Sequence, residues 1–343
     1  VVILPGFPTS AVFTFHEFVA PVLRELMGLS ALHRESVRAR LAQKTVSERG
    51  RLEYLLVGLV ERQRQAAAGS DSDEPELSAW PMGKGSGSVT AFSRADGFVR
   101  IGRNTEIVEQ DAEVEVTLIG HELPLSDLIV IGSHCVGLDV IASALSRRGL
   151  RVKLMAVGSQ GGLAAARRGE CDVAPIHLLD AKTGEYNAPF LDEGLRLLPG
   201  YTRVQGVVTR SDETRPVSAL LEDASLRMVN RNRGSGTRIL IDELLGERRP
   251  PGYAYEPRSH FAVAAAVAQG RADWGVTIES VARRAGLRFQ PLRPEHYDFA
   301  IPSERWERPA VQALMRALAE DGTVRDALES LGFELQQRAQ DRS

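Results

Sequence analysis

Leu128-Ile129-Val130-Ile131-Gly132 is a continuous apolar run that stops at a glycine. Such a run reads as a strand buried on both faces. A strand of that kind needs helices against it, and the next residues supply one: Leu138, Ile141, Ala142 and Leu145 recur at three- and four-residue steps. A second strand is predicted over 152–157, a helix from about 162 to 168, and a third strand over 171–175. Strand–helix–strand–helix–strand is the grammar of a parallel sheet. It returns further on, with a strand over 226–230, helices over about 237–245 and 261–269, and a strand over 272–276. Two α/β lobes in tandem, joined by a crossing strand over 203–209, imply a cleft between them. Helices over 309–319 and 323–331 are expected to pack back on the first lobe.

The region upstream has a different texture. Val114-Glu115-Val116-Thr117-Leu118 alternates at period two, and residues 52–60 do so more loosely. Residues 36–120 therefore read as β-rich. Within them, residues 63–76 are polar and are expected to be a mobile loop. The glycine-rich stretch 81–88 is either a hairpin turn or a loop that brings backbone amides to a phosphate. Residues 121–125 read as a linker. At the start, residues 1–4 read as a strand, followed by a helix whose apolar face is Val12, Phe15, Val19, Val22 and Leu26, with Ser10 as its N-cap. A strand and a helix cannot build a core alone. With no initiator Met, the sequence is expected to be a piece of a longer chain. The predicted domains are 1–35, the incomplete tail of an α/β domain; 36–120, a small β-barrel-like domain; and 126–343, the two-lobed domain, with lobe 1 at about 126–203 and 298–343 and lobe 2 at about 204–297.

The length of 343 residues exceeds one hydrophobic core. A net charge of −3 gives no bulk attraction to nucleic acid or anionic membranes, so any anion site must be built locally. No apolar run approaches the roughly 20 residues that span a bilayer. The two cysteines, Cys135 and Cys171, sit in unlike contexts and suit a reducing compartment.

Three turns share one design. Gly132-Ser133-His134 follows the first strand, Gly158-Ser159-Gln160-Gly161-Gly162 the second, and Arg233-Gly234-Ser235-Gly236-Thr237-Arg238 the strand of lobe 2. Each puts glycines and hydroxyls where a helix begins, at the carboxyl end of a strand. There the first N–H groups lack intrahelical acceptors and the helix dipole favours negative charge. Ser133 and Ser159 read either as ordinary caps or as ligand donors. On the second reading Ser133, Ser159, Ser235 and Thr237 are direct donors and Gly161 and Gly236 supply amides. Arg231 or Arg238 balances charge, unless these arginines are solvated surface groups. His134 and Tyr297 are further candidates. His177 is expected to line the cleft or to hydrogen-bond Asp180 near the hinge, in a structural role. No zinc spacing, P-loop lysine motif or Ser/His/Asp order is present. The ligand implied is a small anion.

Two resemblances sharpen this. Leu4-Pro5-Gly6-Phe7-Pro8-Thr9-Ser10, with Gly85-Ser86-Gly87-Ser88 and Ala95-Asp96-Gly97-Phe98, resembles the C-terminal part of the molybdopterin molybdenumtransferase family. Phe7 stands where the family usually has Asn. Gly132-Ser133-His134, residues 157–163, His177-Leu178-Leu179-Asp180, Gly184-Glu185-Tyr186-Asn187, Asn230-Arg231 with residues 234–238, and Tyr297-Asp298 look like the periplasmic molybdate-binding-like domain. That domain has the type 2 periplasmic-binding fold and is similar to the ligand domains of LysR-type regulators. The resemblance implies an α/β protein of molybdenum-cofactor biosynthesis, cytoplasmic, and homodimeric through its transferase part. Its cleft would hold molybdate or tungstate for sensing or delivery. The alternatives it leaves open are a cleft for molybdopterin or another phosphorylated organic ligand, and a ligand-free assembly domain. Pro5, Gly6, Pro8 and Ser10 would be pieces of a broken transferase site, so this stretch alone is expected to be inactive. No covalent cofactor is implied, and molybdopterin and magnesium would belong to the full-length enzyme.

Overall fold

A computed structural model describes residues 1–30, 34–62, 76–82, 92, 94–119, 126–180, 182–233, 235–257 and 259–335. The chain forms two compact units, Val1–Leu125 and Ser126–Ser343. Residues 63–75 of the loop expected at 63–76, the turn holding Gly85 to Ser88, the linker 121–125 and Gly234 lie outside the described residues, while Glu76 opens a strand.

The first unit opens without the expected strand. Residues 1–4 are exposed and irregular, because no described strand offers their N–H and C=O groups a ladder. The helix that follows is α1 (Pro8–Thr14), one wide π-type turn over Phe15–Val19, and α2 (Ala20–Leu26). Pro21 explains the break: it has no N–H, and its ring would meet the carbonyl four residues back. The Ala20 N–H instead reaches five residues back, to Phe15. The extra residue shifts the helical phase, so the expected apolar stripe does not hold together, and Val22 and Leu26 face solvent. Phe13 is the side chain that packs, 4.8 Å from the Tyr54 ring and 5.0 Å from the Phe98 ring between centroids. Ser10 is no N-cap either. The cap position is Phe7, and Ser10 lies inside the first turn behind Pro8.

Strands β1 (Ser36–Leu41), β2 (Thr45–Val46), β3 (Glu53–Arg62), β4 (Glu76–Pro81), β5 (Gly97–Ile101), β6 (Ile107–Val108) and β7 (Glu113–Leu118) follow. Five of them close a barrel in the order β1-β4-β3-β5-β7, sealed by the antiparallel β1–β7 ladder. Leu41, Val57, Ala79, Val99 and Val116 fill its interior. The weak alternation at 52–60 has a cause: β3 is buried on both faces, since Leu56 points outward into the Phe13–Phe98 cluster. The Ala95-Asp96-Gly97-Phe98 motif serves this barrel. Asp96 accepts the Leu59 N–H at 2.6 Å, and a methyl at Gly97 would stand 2.6 Å from the Thr117 carbonyl oxygen.

The second unit carries β8 (Leu128–Gly132), α3 (Val136–Arg147), β9 (Val152–Ala156), α4 (Gly158–Arg167), β10 (Ala174–Ile176), β11 (Leu195–Thr209), α5 (Val217–Glu222), β12 (Met228–Val229), α6 (Gly236–Leu245), α7 (His260–Ala268), β13 (Trp274–Ile278), α8 (Glu279–Arg284), β14 (Arg288–Pro302), α9 (Pro309–Glu320), α10 (Gly322–Ser330) and β15 (Glu334–Leu335). β8 and β9 pair in parallel, and a bridge from Val130 to Val173 ties them to the β10 segment. β11 and β14 are each 15 residues long and run antiparallel through both lobes. On one side β14 carries β10, and on the other β11 carries β13 and then β12. The crossing strand over 203–209 is thus the second half of β11, and β14 brings the chain back. Leu138, Ile141, Val311, Leu314 and Leu328 share one core, so α9 and α10 pack on α3 in lobe 1. Val207, Met228, Ile241 and Trp274 make the core of lobe 2.

Candidate functional site: the interlobe cleft around His177

Parallel strands end at one edge of a sheet, and the first lobe uses that edge. Ser133 follows β8, His177 follows β10, and Ser159 is the second residue of α4. Gly162 lets α4 lie close to β8, because a methyl there would stand 2.7 Å from the Ile131 carbonyl oxygen. The three side chains meet. Nε2 of His177 is 2.8 Å from Ser133 Oγ, and the His177 N–H donates to Ser159 Oγ at 3.1 Å. Tyr297 stacks on the imidazole with centroids 6.1 Å apart, and its hydroxyl donates to the Ser133 carbonyl.

Lobe 2 comes down on the same histidine. A methyl at Gly236, the first residue of α6, would stand 2.7 Å from the His177 carbonyl oxygen and 3.3 Å from its Nδ1. Thr237, next in line, is fully buried, and its hydroxyl has no hydrogen-bond partner among the described residues. Arg231, beyond β12, and His260, first in α7, are buried as well. The structure is that of a closed cleft.

Behind His177 lies Glu295, fully buried on β14. Its Oε1 meets His177 Nδ1 at 2.6 Å and also accepts from Gln205 Nε2; its Oε2 accepts from Arg203 Nε at 2.6 Å. Arg203 is its register partner across the β11–β14 ladder. Burial works to raise the Glu295 pKa, but Arg203 and His177 outweigh it and hold the carboxyl at about 2. Burial pulls Arg231 down to about 10, with Arg203 pushing the same way and Glu295 opposing. His260 is pushed well below the usual histidine range by burial and by the nearby Arg231 and Arg203 guanidinium groups. Among the described residues, Arg203 and Arg231 bring two guanidinium groups to the pocket and Glu295 one carboxylate. Nearby, Arg203 Nη1 and Gln205 Oε1 are buried without partners among the described residues. Buried polar atoms left open in one place mark where a ligand or water belongs.

The structure therefore brings Ser133, Ser159, His177, Gly236 and Thr237 together. It assigns several other candidates elsewhere. Arg238 is held by Asp242, Glu256 and the Tyr253 hydroxyl, and it donates to the Arg231 carbonyl at 3.0 Å; it braces the turn instead of facing the cleft. Ser235 is the N-cap of α6: its Oγ accepts from the Arg238 N–H and donates to the Asn232 carbonyl. Gly161 comes one position too late, since helix geometry leaves open only the amides up to Gln160 in α4. His134 is exposed and pairs with Asp139 at 2.9 Å. Tyr297 shapes the site from behind with its hydroxyl already engaged. His177 does not pair with Asp180, whose carboxylate accepts from the Lys182 N–H. Arg203, Gln205 and Glu295 were missed. Their signal is faint: polar residues two apart on one crossing strand, opposite a carboxylate on another.

In the first unit, Pro5 and Gly6 are exposed and Pro8 opens α1. Ser10 lines a cleft of about 590 Å3 with Thr9, Phe13, Glu17, Arg51 and Tyr54. Among the described residues no group of three or more His, Cys, Asp or Glu side chains is placed to hold a metal ion, and no helix is long and apolar enough to cross a membrane.

A family model described as the PBP superfamily domain matches residues 142–319, just over half of the chain. The protein belongs to that family. Ahead of this domain, residues 38–119 match the MoeA C-terminal region, domain IV. The chain thus joins a domain of a molybdenum-cofactor biosynthesis family to a periplasmic-binding-like domain of mixed α/β architecture. It is 30% identical over 186 residues to the uncharacterized protein YvgK of Bacillus subtilis (strain 168), a match that takes in 50% of this chain and 60% of YvgK. The chain therefore spans less than two thirds of that relative. Among solved structures it is similar to an ABC-type phosphate transport receptor from Vibrio cholerae, at 13% identity and a TM-score of 0.45, covering 61% of this chain and all of that one. It is also similar to the molybdopterin biosynthesis moea protein from Pyrococcus horikosii, at 35% identity and a TM-score of 0.26, covering 35% of this chain and 26% of that one.

Proposed function

We propose that the interlobe cleft binds a small oxyanion, molybdate or tungstate, and senses it or delivers it to a molybdopterin molybdenumtransferase of which the first unit is part. The observation that carries this is Thr237. Its buried hydroxyl, without a partner among the described residues, sits at the start of α6, next to His177, whose backbone N–H is held by Ser159 at the start of α4. Two helix N-termini and a pair of buried guanidinium groups suit an anion with many acceptor oxygens and no donors. Entry requires the lobes to part, with β11 and β14 as the connections that bend. The reading places the protein in the cytoplasm, working as a homodimer through its transferase part, with molybdopterin and magnesium as ligands of that part.

The test is isothermal titration with molybdate, tungstate, sulfate and phosphate. Saturable heat from the first two with sulfate silent supports the reading. Silence from all four removes it. A second reading has its own observation. Gln205 Nε2 donates to Glu295, which fixes the amide so that Oε1 is a buried acceptor without a donor among the described residues. A bare oxyanion cannot satisfy an acceptor, whereas a phosphorylated organic ligand such as molybdopterin carries the N–H or O–H groups that can. It is the next titrant if the oxyanions fail.

A further inference from the structure

We propose that the cleft also performs covalent chemistry, with Ser133 as nucleophile, His177 as its general base and Glu295 as the residue that positions the base. The substrate class is an ester of a small anionic acid. This goes beyond holding a ligand and does not depend on which anion the cleft binds.

The geometry is that of a serine relay. Ser133 Oγ lies 2.8 Å from His177 Nε2, and His177 Nδ1 lies 2.6 Å from Glu295 Oε1. The direction of proton transfer follows from the partners. An ionised carboxylate only accepts hydrogen bonds, so Nδ1 must carry the proton, and in the neutral ring Nε2 must then offer its lone pair to the Ser133 hydroxyl. That is the tautomer a general base needs. Glu295 cannot swing away, because Arg203 and Gln205 hold its two oxygens from the other side. The imidazole cannot tilt freely either, since Tyr297 stacks on it, Ser159 fixes its backbone N–H, and Gly236 lies on its carbonyl side.

The remaining parts of such a site are beside the relay. The α4 amides of Gly158, Ser159 and Gln160 have no intrahelical acceptor, and α4 is 10 residues long, so its dipole favours a developing oxyanion. The Thr237 hydroxyl is a further open donor. Arg231, a buried cation, suits the anionic group of the acid. The step balances without a redox partner. Ser133 Oγ bonds to the carbonyl carbon as its proton passes to His177 Nε2. The C–O bond to the alcohol then breaks, and the alcohol leaves with that proton. Water repeats the sequence on the acyl-serine and regenerates Ser133. Ser133 is only 8% exposed, so the reaction requires the cleft to open first.

The test is labelling of the whole chain with diisopropyl fluorophosphate, in which the Ser133 Oγ–P bond forms as P–F breaks, with the modified residue located by mass. The expected result is an adduct on Ser133 that is absent in Ser133→Ala and forms about 100-fold more slowly in His177→Gln, since a general base contributes on that order. Glu295→Gln is expected to move the pH profile of labelling, which a role in packing alone would leave in place. Absence of an adduct on Ser133, or labelling of His177→Gln at the wild-type rate, overturns the proposal. If His177→Gln does not fold, Ser133→Cys replaces it. Alkylation of the new thiol by iodoacetamide at neutral pH well above the rate of a free thiol supports the relay, and an ordinary rate overturns it. Titration with molybdate is unaffected by this outcome, so the two readings fail separately.

Discussion

The turns after β8 and β9 in lobe 1 and the turn after β12 in lobe 2 look alike on paper, each a cluster of glycines and hydroxyls ahead of a helix, yet they do different work. In lobe 1 the hydroxyls are already engaged: Ser159 holds the His177 backbone and Ser133 meets its ring. In lobe 2 Ser235 and Arg238 brace their own turn, and the Thr237 hydroxyl has no hydrogen-bond partner among the described residues. Lobe 1 is a preorganised floor, whereas lobe 2 is a lid that brings the open Thr237 hydroxyl to the cleft. A cleft built this way combines rigidity on one side with a reason to close on the other, because ligand binding satisfies a group that is otherwise buried at a cost.

The largest effect should come from the anion under the floor. Replacing Glu295 by Ala leaves Arg203 charged and buried, and breaking such a pair costs about 3–5 kcal/mol. Urea unfolding of the variant against wild type measures it. The same group predicts a pH effect. The Glu295 pKa lies at about 2 in the fold and near 4.3 in an unfolded chain. Its stabilisation is therefore complete above about pH 5 and is lost as pH falls toward 2. Glu295→Gln should flatten that part of the stability profile, and an unchanged acid limb would show that the carboxylate is not coupled to folding.

Next comes closure. Gly236→Ala places a methyl against the His177 carbonyl, so anion affinity should drop at least about tenfold, equivalent to about 1.4 kcal/mol, with lobe 2 still folded. Gly161→Ala should leave affinity near wild type, and an equal loss from both would erase the distinction between the two helix starts. Thr237→Val sharpens the comparison further. It should weaken binding by about 1 kcal/mol while leaving stability unchanged or slightly higher, because it removes an unsatisfied hydroxyl. Ser159→Ala, on the floor, should instead lower stability by about 1 kcal/mol as well as affinity. The smallest effect is expected at His134, where the exposed pair with Asp139 contributes little and His134→Ala should change neither quantity.

Much of this architecture is legible in the sequence. The apolar run at 128–132 and the glycine-hydroxyl turns mark where strands end and helices begin, and those are local properties. The parts that were not legible depend on pairing. Glu295 faces Arg203 only through the β11–β14 register, which no local pattern records. Arg238 looked like a ligand group because composition reports a cation but not which face of α6 it takes. The helix at 8–26 misled for a different reason: a wide turn ahead of Pro21 put its apolar residues out of phase.

The central claim is that an anion closes lobe 2 onto His177, and paired titrations of the native chain and Gly236→Ala with molybdate test it most directly. The account predicts saturable binding by the native chain and at least about tenfold weaker binding by the variant. Equal affinity in the two, or no binding by the native chain, would contradict it.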